Sequence, residues 1–196
     1  AHLAMIASGE IVASRSIDAY LTHRFRLDII NQLWADDATA ERQFFLKHPD
    51  DKGDHILVND DFDIVGIIDW EWTRTVSRAE AFCSSLMMWP VSKFYAGSNE
   101  LAMEELRFAE VFRERDREDL SDHILTGRKV QRFFSALGSE SPSDISDFTS
   151  LFMGLTGAFK YEYEAWEQWK NGALDRWRDD DQLRKLVEQQ DHKKEI

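Results

Sequence analysis

Apolar residues recur every three to four positions over most of this chain, which is the spacing of one face of an α-helix. The longest early run predicts an amphipathic helix over 14–34, with Ser14 or Ser16 available as an N-cap. A shorter helix is predicted over 40–45. Later segments repeat the helical spacing: 99–115, 119–137, 144–169 and a surface helix over 175–196, with Gly138 and Asn171-Gly172 as stops.

The pattern changes between residues 47 and 69. A polar, turn-rich stretch over 47–55 predicts a loop, and the β-branched runs that follow predict one hairpin over 56–69. Ser77 and Glu80 then form a capping-box pattern, which begins a helix that ends at Pro90 and opens a helical part over 77–190. These elements predict a mainly α fold of the α+β kind, with one β-hairpin, as a single domain over 1–196.

Charge and composition narrow the choice of partners. The formal charge of −13 argues against nucleic acid and anionic membrane surfaces, because phosphates are bound by clustered Lys and Arg. No apolar run reaches the roughly 18 residues of a membrane span. The single cysteine, Cys83, excludes an internal disulfide and is expected to be buried packing. We therefore expect a cytoplasmic protein whose partner is neither nucleic acid nor a membrane surface; the charge does not identify its substrate.

The candidate chemistry lies around the hairpin. His48-Pro49-Asp50 precedes it, His55 follows Asp50 by five residues, and the hairpin ends at Asp69 in Gly66-Ile67-Ile68-Asp69-Trp70-Glu71. Protein kinases use this order: a His-Arg-Asp-x-x-x-x-Asn catalytic loop, then a hairpin whose terminal Asp holds magnesium. His55 stands where that pattern has Asn.

The chain resembles the aminoglycoside phosphotransferases, whose loop reads His-Gly-Asp-x-x-x-x-Asn-Ile-Leu and whose hairpin ends in Ile-Ile-Asp-Trp-Glu; fungal members are more similar still. The resemblance runs from about residue 14 to beyond residue 137. It implies the C-terminal lobe of a protein-kinase-like fold and ATP-dependent phosphoryl transfer to a hydroxyl. It also implies Asp50 as the base, Lys52 directed at the transferred phosphate, and Asp69 as the ligand of Mg²⁺ or Mn²⁺.

Three further residues have supporting or open roles. His55 is either a second metal ligand or a hydrogen-bond donor that holds the shape of the loop, since imidazole suits magnesium less well than an amide oxygen. The resemblance gives His48 a structural role near the second carboxylate, and Glu71 is grouped with it as support.

The other polar clusters are better explained by structural roles. Asp60, Asp61 and Asp63 resemble the spacing of a calcium loop, but no glycine and distal glutamate follow, so a solvated turn is expected. The segment 161–169 could line an acidic aromatic pocket, although core packing on one helical face is favoured.

The lobe that would hold the nucleotide has no counterpart in the sequence. Residues 1–46 contain no lysine and one glycine, Gly9, so they cannot supply a glycine-rich loop and a strand lysine. The chain also opens on Ala1 rather than Met, which suggests an upstream segment. Three alternatives stay open: a kinase lobe completed by a missing N-terminal lobe or partner chain, a pseudoenzyme that binds a ligand or partner, and a lobe recruited to another acid/base reaction.

Overall fold

A computed structural model describes residues 2–10, 15–35, 43–48, 53–135, 144–162 and 165–194. The described chain is mainly helical with small antiparallel sheets, which confirms the predicted mainly α class. Its helices are α1 His2–Ser8, α2 Ser16–Ala35, α3 Arg78–Phe82, α4 Val91–Tyr95, α5 Met103–Arg113, α6 Glu118–Thr126, α7 Arg128–Phe134, α8 Ile145–Ala158, α9 Trp166–Arg176 and α10 Asp181–Lys194. Its strands are β1 Phe45–Lys47, β2 Ile56–Val58, β3 Ile64–Ile67 and β4 Arg74–Val76, and short 3₁₀ turns cover Trp70–Trp72 and Leu86–Met88. Among the residues described, none of the helices has the length and apolar character that crossing a membrane requires.

The chain forms two compact units. The helical unit consists of Ala1–Trp34, Tyr95–Asn99 and Arg132–Ile196, and the hairpin unit consists of Ala35–Phe94 and Glu100–Gln131. Compact units need not be independent domains, and the single domain predicted from the sequence remains a prediction.

Aromatic packing builds the core of the helical unit. Phe152 of α8 lies with its ring 5.6 Å from Phe25 of α2 and 4.9 Å from Trp166 of α9. Trp166 is buried, so core packing is confirmed for this part of 161–169, while residues 163 and 164 lie outside the described residues. Asp18 is also buried and forms ion pairs with Arg15 at 2.6 Å and Lys170 at 2.7 Å, which offsets the cost of its desolvation.

A buried guanidinium occupies the space beside Gly154 in the same unit. The Arg132 side chain is 1% exposed and donates to Asn99 Oδ1 at 2.9 Å and to the Ser98 carbonyl at 2.7 Å. A Cβ added at Gly154 would lie 2.3 Å from Arg132 Cζ. Glycine is therefore required at this position of α8 by close packing.

The hairpin unit contains two separate two-stranded sheets. β1 pairs with β4 and β2 pairs with β3, both antiparallel. The β2–β3 pair is the predicted hairpin. A helix was predicted over 40–45, and the prediction is wrong for its last residue, because Phe45 begins β1. Pairing with β4 overrides the local helical preference there.

A buried polar network joins the helices of the hairpin unit. The Glu105 carboxylate accepts from the Ser84 hydroxyl at 2.5 Å and from Arg128 Nη2 at 2.7 Å, and Gln131 Nε2 donates to Ser84 Oγ at 2.7 Å. The helix α3 ends at Phe82, because Cys83 has an extended backbone with φ −67° and ψ 153°. The predicted continuous helix as far as Pro90 is therefore wrong.

Two predicted helix boundaries also fail around glycine. Gly127 separates α6 from α7, where one helix was predicted over 119–137. Gly172, predicted as a stop, lies inside α9. Gly138 lies outside the described residues. A single glycine weakens a helix by only about 1 kcal/mol, which the packing of Trp166 and Ala173 in the core can exceed.

Replacing the helical glycines Gly154 and Gly172 by alanine should have opposite effects on the free energy of unfolding. Gly154→Ala should lower the free energy of unfolding by about 1–3 kcal/mol, because the new methyl group displaces a buried guanidinium. Gly172→Ala should raise it by about 0.5–1 kcal/mol, since nothing lies within 4 Å of its added Cβ. Urea denaturation measures both, and a stabilised Gly154→Ala variant would contradict the packing described.

Candidate active site

The β1–β4 ladder brings together the two ends of the segment that carries the candidate chemistry. Lys47 and Arg74 are register partners, so the chain between them leaves and returns at one place. We call the segment between them, residues 48–73, the excursion. His48 is its first residue. Asp50 and Lys52 lie outside the described residues, and their predicted roles stay predictions.

Glu80 holds both ends of the excursion. Its carbonyl accepts from Lys47 Nζ at 2.5 Å, and its carboxylate pairs with Arg74 Nη2, also at 2.5 Å. The Ser77 hydroxyl caps α3 by accepting from the Glu80 N–H at 3.3 Å, as the capping pattern predicted. The capping-box pattern also predicted that the Glu80 carboxylate would accept from the backbone N–H of Ser77. The carboxylate pairs with Arg74 instead.

Cys83 lies beside the same lysine. Its Sγ is 3.3 Å from Lys47 Nζ, and the thiol is buried as predicted. Burial raises the pKa of the Cys83 thiol, and the nearby Lys47 ammonium opposes part of that rise. The protonated thiol is a packing group here.

Three hydrogen bonds fix the backbone directly before Asp69. The Ile68 N–H donates to the His55 carbonyl at 3.0 Å, and the Ile68 carbonyl is 3.1 Å from His48 Nε2. Trp70 Nε1 donates to the Ile67 carbonyl at 2.8 Å. Both histidines are thus held beside the residue that precedes Asp69.

The two histidine rings stack on each other. Their centroids are 4.1 Å apart with an angle of 11° between the planes, and the Trp70 ring meets His48 edge-on at 5.4 Å. Because a carbonyl can only accept, His48 Nε2 must carry the hydrogen that is shared with Ile68. The His55 side chain is 6% exposed, so its ring packs in the base of the loop. Metal ligation by His55 stays a prediction.

Asp69 occupies a strained backbone position. Its φ of 66° and ψ of 44° lie in the left-handed region, which non-glycine residues seldom adopt. Asp69 precedes the 3₁₀ turn at Trp70–Trp72, yet its side chain makes no capping hydrogen bond there. The residue is exposed, as is Glu71. Phe62, Asp116 and Lys160 also have a positive φ, so this conformation alone does not mark a functional site. Asp69 is distinguished by its place at the end of the hairpin, where the resemblance predicts the metal ligand.

The described residues do not by themselves enclose a metal ion. Among them, no group of three or more His, Cys, Asp or Glu side chains is arranged to hold an ion. Magnesium in nucleotide sites takes one or two carboxylates and completes its shell with phosphate oxygens and water. Asp69 fits that kind of site.

The acidic turn of the hairpin is structural. Asn59 Oδ1 accepts from the backbone N–H of Asp61 at 3.0 Å and of Asp63 at 2.9 Å, which forms an Asx turn. Asp60, Asp61 and Asp63 are all exposed. This is the solvated turn that the sequence predicted.

The sequence did not predict the contacts that position the candidate site. Glu80 and Arg74 are six residues apart and belong to a helix and a strand, so no periodic pattern signals their ion pair. Trp70 was recognised only as part of a motif, and its hydrogen bond to Ile67 depends on the turn after Asp69.

Comparisons with known proteins give this site no precedent. No protein family model, no curated protein and no solved structure matches the chain. The function has to be argued from the arrangement of the residues themselves.

Glu80→Gln should loosen the closure of the site. The substitution keeps the carbonyl that binds Lys47 but removes the charge that pairs with Arg74, and the free energy of unfolding should fall by about 1–2 kcal/mol. Urea denaturation provides the measurement. Glu104→Gln, at an exposed position of α5, is the matched control and should change stability by less than about 0.5 kcal/mol. Equal stability of both variants would remove Glu80 from this role.

Proposed function

We propose that this chain is the catalytic-loop-bearing lobe of an ATP-dependent small-molecule kinase of the aminoglycoside phosphotransferase type. The observation that carries the proposal is the strained, exposed Asp69 at the end of the hairpin, on a backbone fixed by His48, His55 and Trp70. A kinase-like lobe needs a rigidly held carboxylate at this point of the chain.

The proposed chemistry divides between two carboxylates. Asp50 orients the acceptor hydroxyl and takes its proton late in the reaction, and Lys52 is directed at the transferred phosphate. Asp69 holds Mg²⁺ or Mn²⁺, with Glu71 in support. The metal, when bound together with ATP, neutralises charge on the phosphate oxygens.

His48 and His55 are positioning residues in this proposal. The His48 N–H fixes the Ile68 carbonyl, stacking of the two rings holds His48 beside the start of the hairpin, and the His55 carbonyl accepts from the Ile68 N–H at the hairpin's end. Together they hold the direction in which Asp69 projects. Proximity and orientation of this kind account for most of the catalysis in phosphoryl transfer.

The acceptor is a small molecule with a hydroxyl group, and the proposed location is the cytoplasm, where ATP and magnesium are available. Neither nucleic acid nor a membrane surface suits a chain of charge −13. The nucleotide-gripping half of the site comes from an N-terminal lobe or a partner chain, because residues 1–46 lack the lysine that such a lobe uses.

A second candidate function is a pseudoenzyme lobe that binds a partner through the hairpin. The observation in its favour is exposure: Ile64 and Val65 are 65% and 64% exposed although both are strongly apolar. Exposed apolar patches mark interaction sites. The two candidates differ in whether ATP is turned over once an N-terminal lobe or partner chain completes the nucleotide site.

The chain alone should form no ADP beyond background when it is incubated with ATP, magnesium and a panel of amino-alcohol and sugar acceptors. Positioning supplies about 7–11 kcal/mol of the barrier to such reactions, and half of the clamp is missing. The measurement follows ADP by a coupled assay, with Asp50→Ala as the matched variant. Faster ADP formation by the wild-type chain would show that it completes the nucleotide site by itself.

A further inference from the structure

The exposed apolar side chains of the hairpin unit concentrate on β2, β3 and the residue after β3. Six of them are between 42% and 65% exposed, and we call this set the hairpin surface: Leu57, Val58, Ile64, Val65, Ile67 and Ile68. Single exposed apolar residues are ordinary, but six in one hairpin are the pattern of a covered surface. They are three adjacent pairs, so they lie on both faces of the hairpin.

The backbone of the hairpin is open as well. In the part of the chain that the structure describes, β2 and β3 pair only with each other, so each strand has an unpaired outer edge. Proteins protect such edges with lysine, proline or charged side chains, and Ile56–Val58 and Ile64–Ile67 contain none of these. A two-stranded sheet is also only marginally stable in water, whereas a third strand stabilises it. The hairpin therefore suits the addition of a strand.

The charge around the hairpin indicates what kind of polypeptide could add to it as a strand. Between Gly53 and Trp72 the sequence has six Asp and Glu residues and no Lys or Arg. Three of these acids lie exposed in the turn next to the apolar run: Asp60, Asp61 and Asp63. A second copy of this chain, with its charge of −13, would bring like charges together. A basic partner would be attracted to the same place.

We infer that the hairpin surface binds an extended polypeptide segment in which apolar and basic side chains alternate, by addition of that segment as a strand. The apolar side chains would cover the part of the hairpin surface on one face of the sheet, and the basic ones would project from the other face, attracted by the acidic turn. The inference rests on the second proposed function, partner binding, and names the chemistry of the partner. It does not require that ATP be turned over.

The test uses labelled peptides as probes and fluorescence anisotropy as the readout. A short peptide of alternating valine and lysine should bind saturably to the full chain. Three matched peptides should bind much more weakly: valine with glutamate, serine with lysine, and the valine–lysine peptide N-methylated at every residue. The last retains side chains and charge but cannot donate the hydrogen bonds of a ladder. Equal binding of the N-methylated and parent peptides would overturn strand addition.

Two variants locate the site. Val65→Ser should weaken binding of the valine–lysine peptide by about fourfold or more, from the apolar contact that it removes. Asp60→Asn combined with Asp61→Asn should weaken it by about twofold to fivefold for each charge and reduce its dependence on salt. Leu27→Ser, at an apolar position 51% exposed in α2, is the control and should leave binding unchanged. Thermal melts establish that each variant is folded.

Other outcomes would overturn the inference. Binding that is equally strong in Val65→Ser and wild type would place the peptide elsewhere. If sedimentation of the free chain shows a dimer that Val65→Ser dissociates, the occupant is a second copy. The assay does not measure ADP, so a failure of the kinase proposal would leave this result standing, and a failure to bind peptide would leave the kinase proposal standing.

Discussion

The hydrogen bonds and ion pair of Glu80 are the interaction on which the candidate site depends. Lys47 and Arg74 face each other across the β1–β4 ladder, and Glu80 contacts one through its carbonyl and the other through its carboxylate. Glu80 is itself positioned by the Ser77 cap at the start of α3. The closed ladder fixes where the chain leaves as His48 and where it returns after Asp69. The histidine stack and the strained aspartate both lie within that closed segment.

Much of the fold follows from local patterns. The 20-residue helix α2, the hairpin and the Ser77 cap each depend on residues close in sequence, and each was predicted with nearly correct bounds. The β1–β4 pair was not predicted, because residues so far apart leave no periodic signal. The end of α3 was also missed; the chain is extended at Cys83, and the next residue, Ser84, bonds to Glu105 and Gln131, both distant in sequence.

In the candidate site, too, local features could be predicted from the sequence and features that depend on distant contacts could not. The order of the loop, hairpin and terminal aspartate could be predicted, because these features lie in one stretch of sequence. The left-handed conformation of Asp69 and the stacking of His48 on His55 could not, since both are consequences of how the excursion closes. In the proposed function these features matter most, because they fix the backbone on which the Asp69 carboxylate lies. The exposure of the hairpin's apolar side chains is seen only in the structure.

The most direct test of the account is whether a metal–nucleotide complex binds at Asp69. Mn²⁺ with a non-hydrolysable ATP analogue can be titrated into the chain while the ring signals of His48 and His55 are followed by NMR, since bound Mn²⁺ broadens nearby signals. Affinity should be modest, because the phosphate cradle of a second lobe is missing. The account predicts selective broadening of both histidine signals in the wild-type chain and its loss in Asp69→Asn. Equal broadening in the two proteins, or none in the wild type at saturating complex, would contradict it.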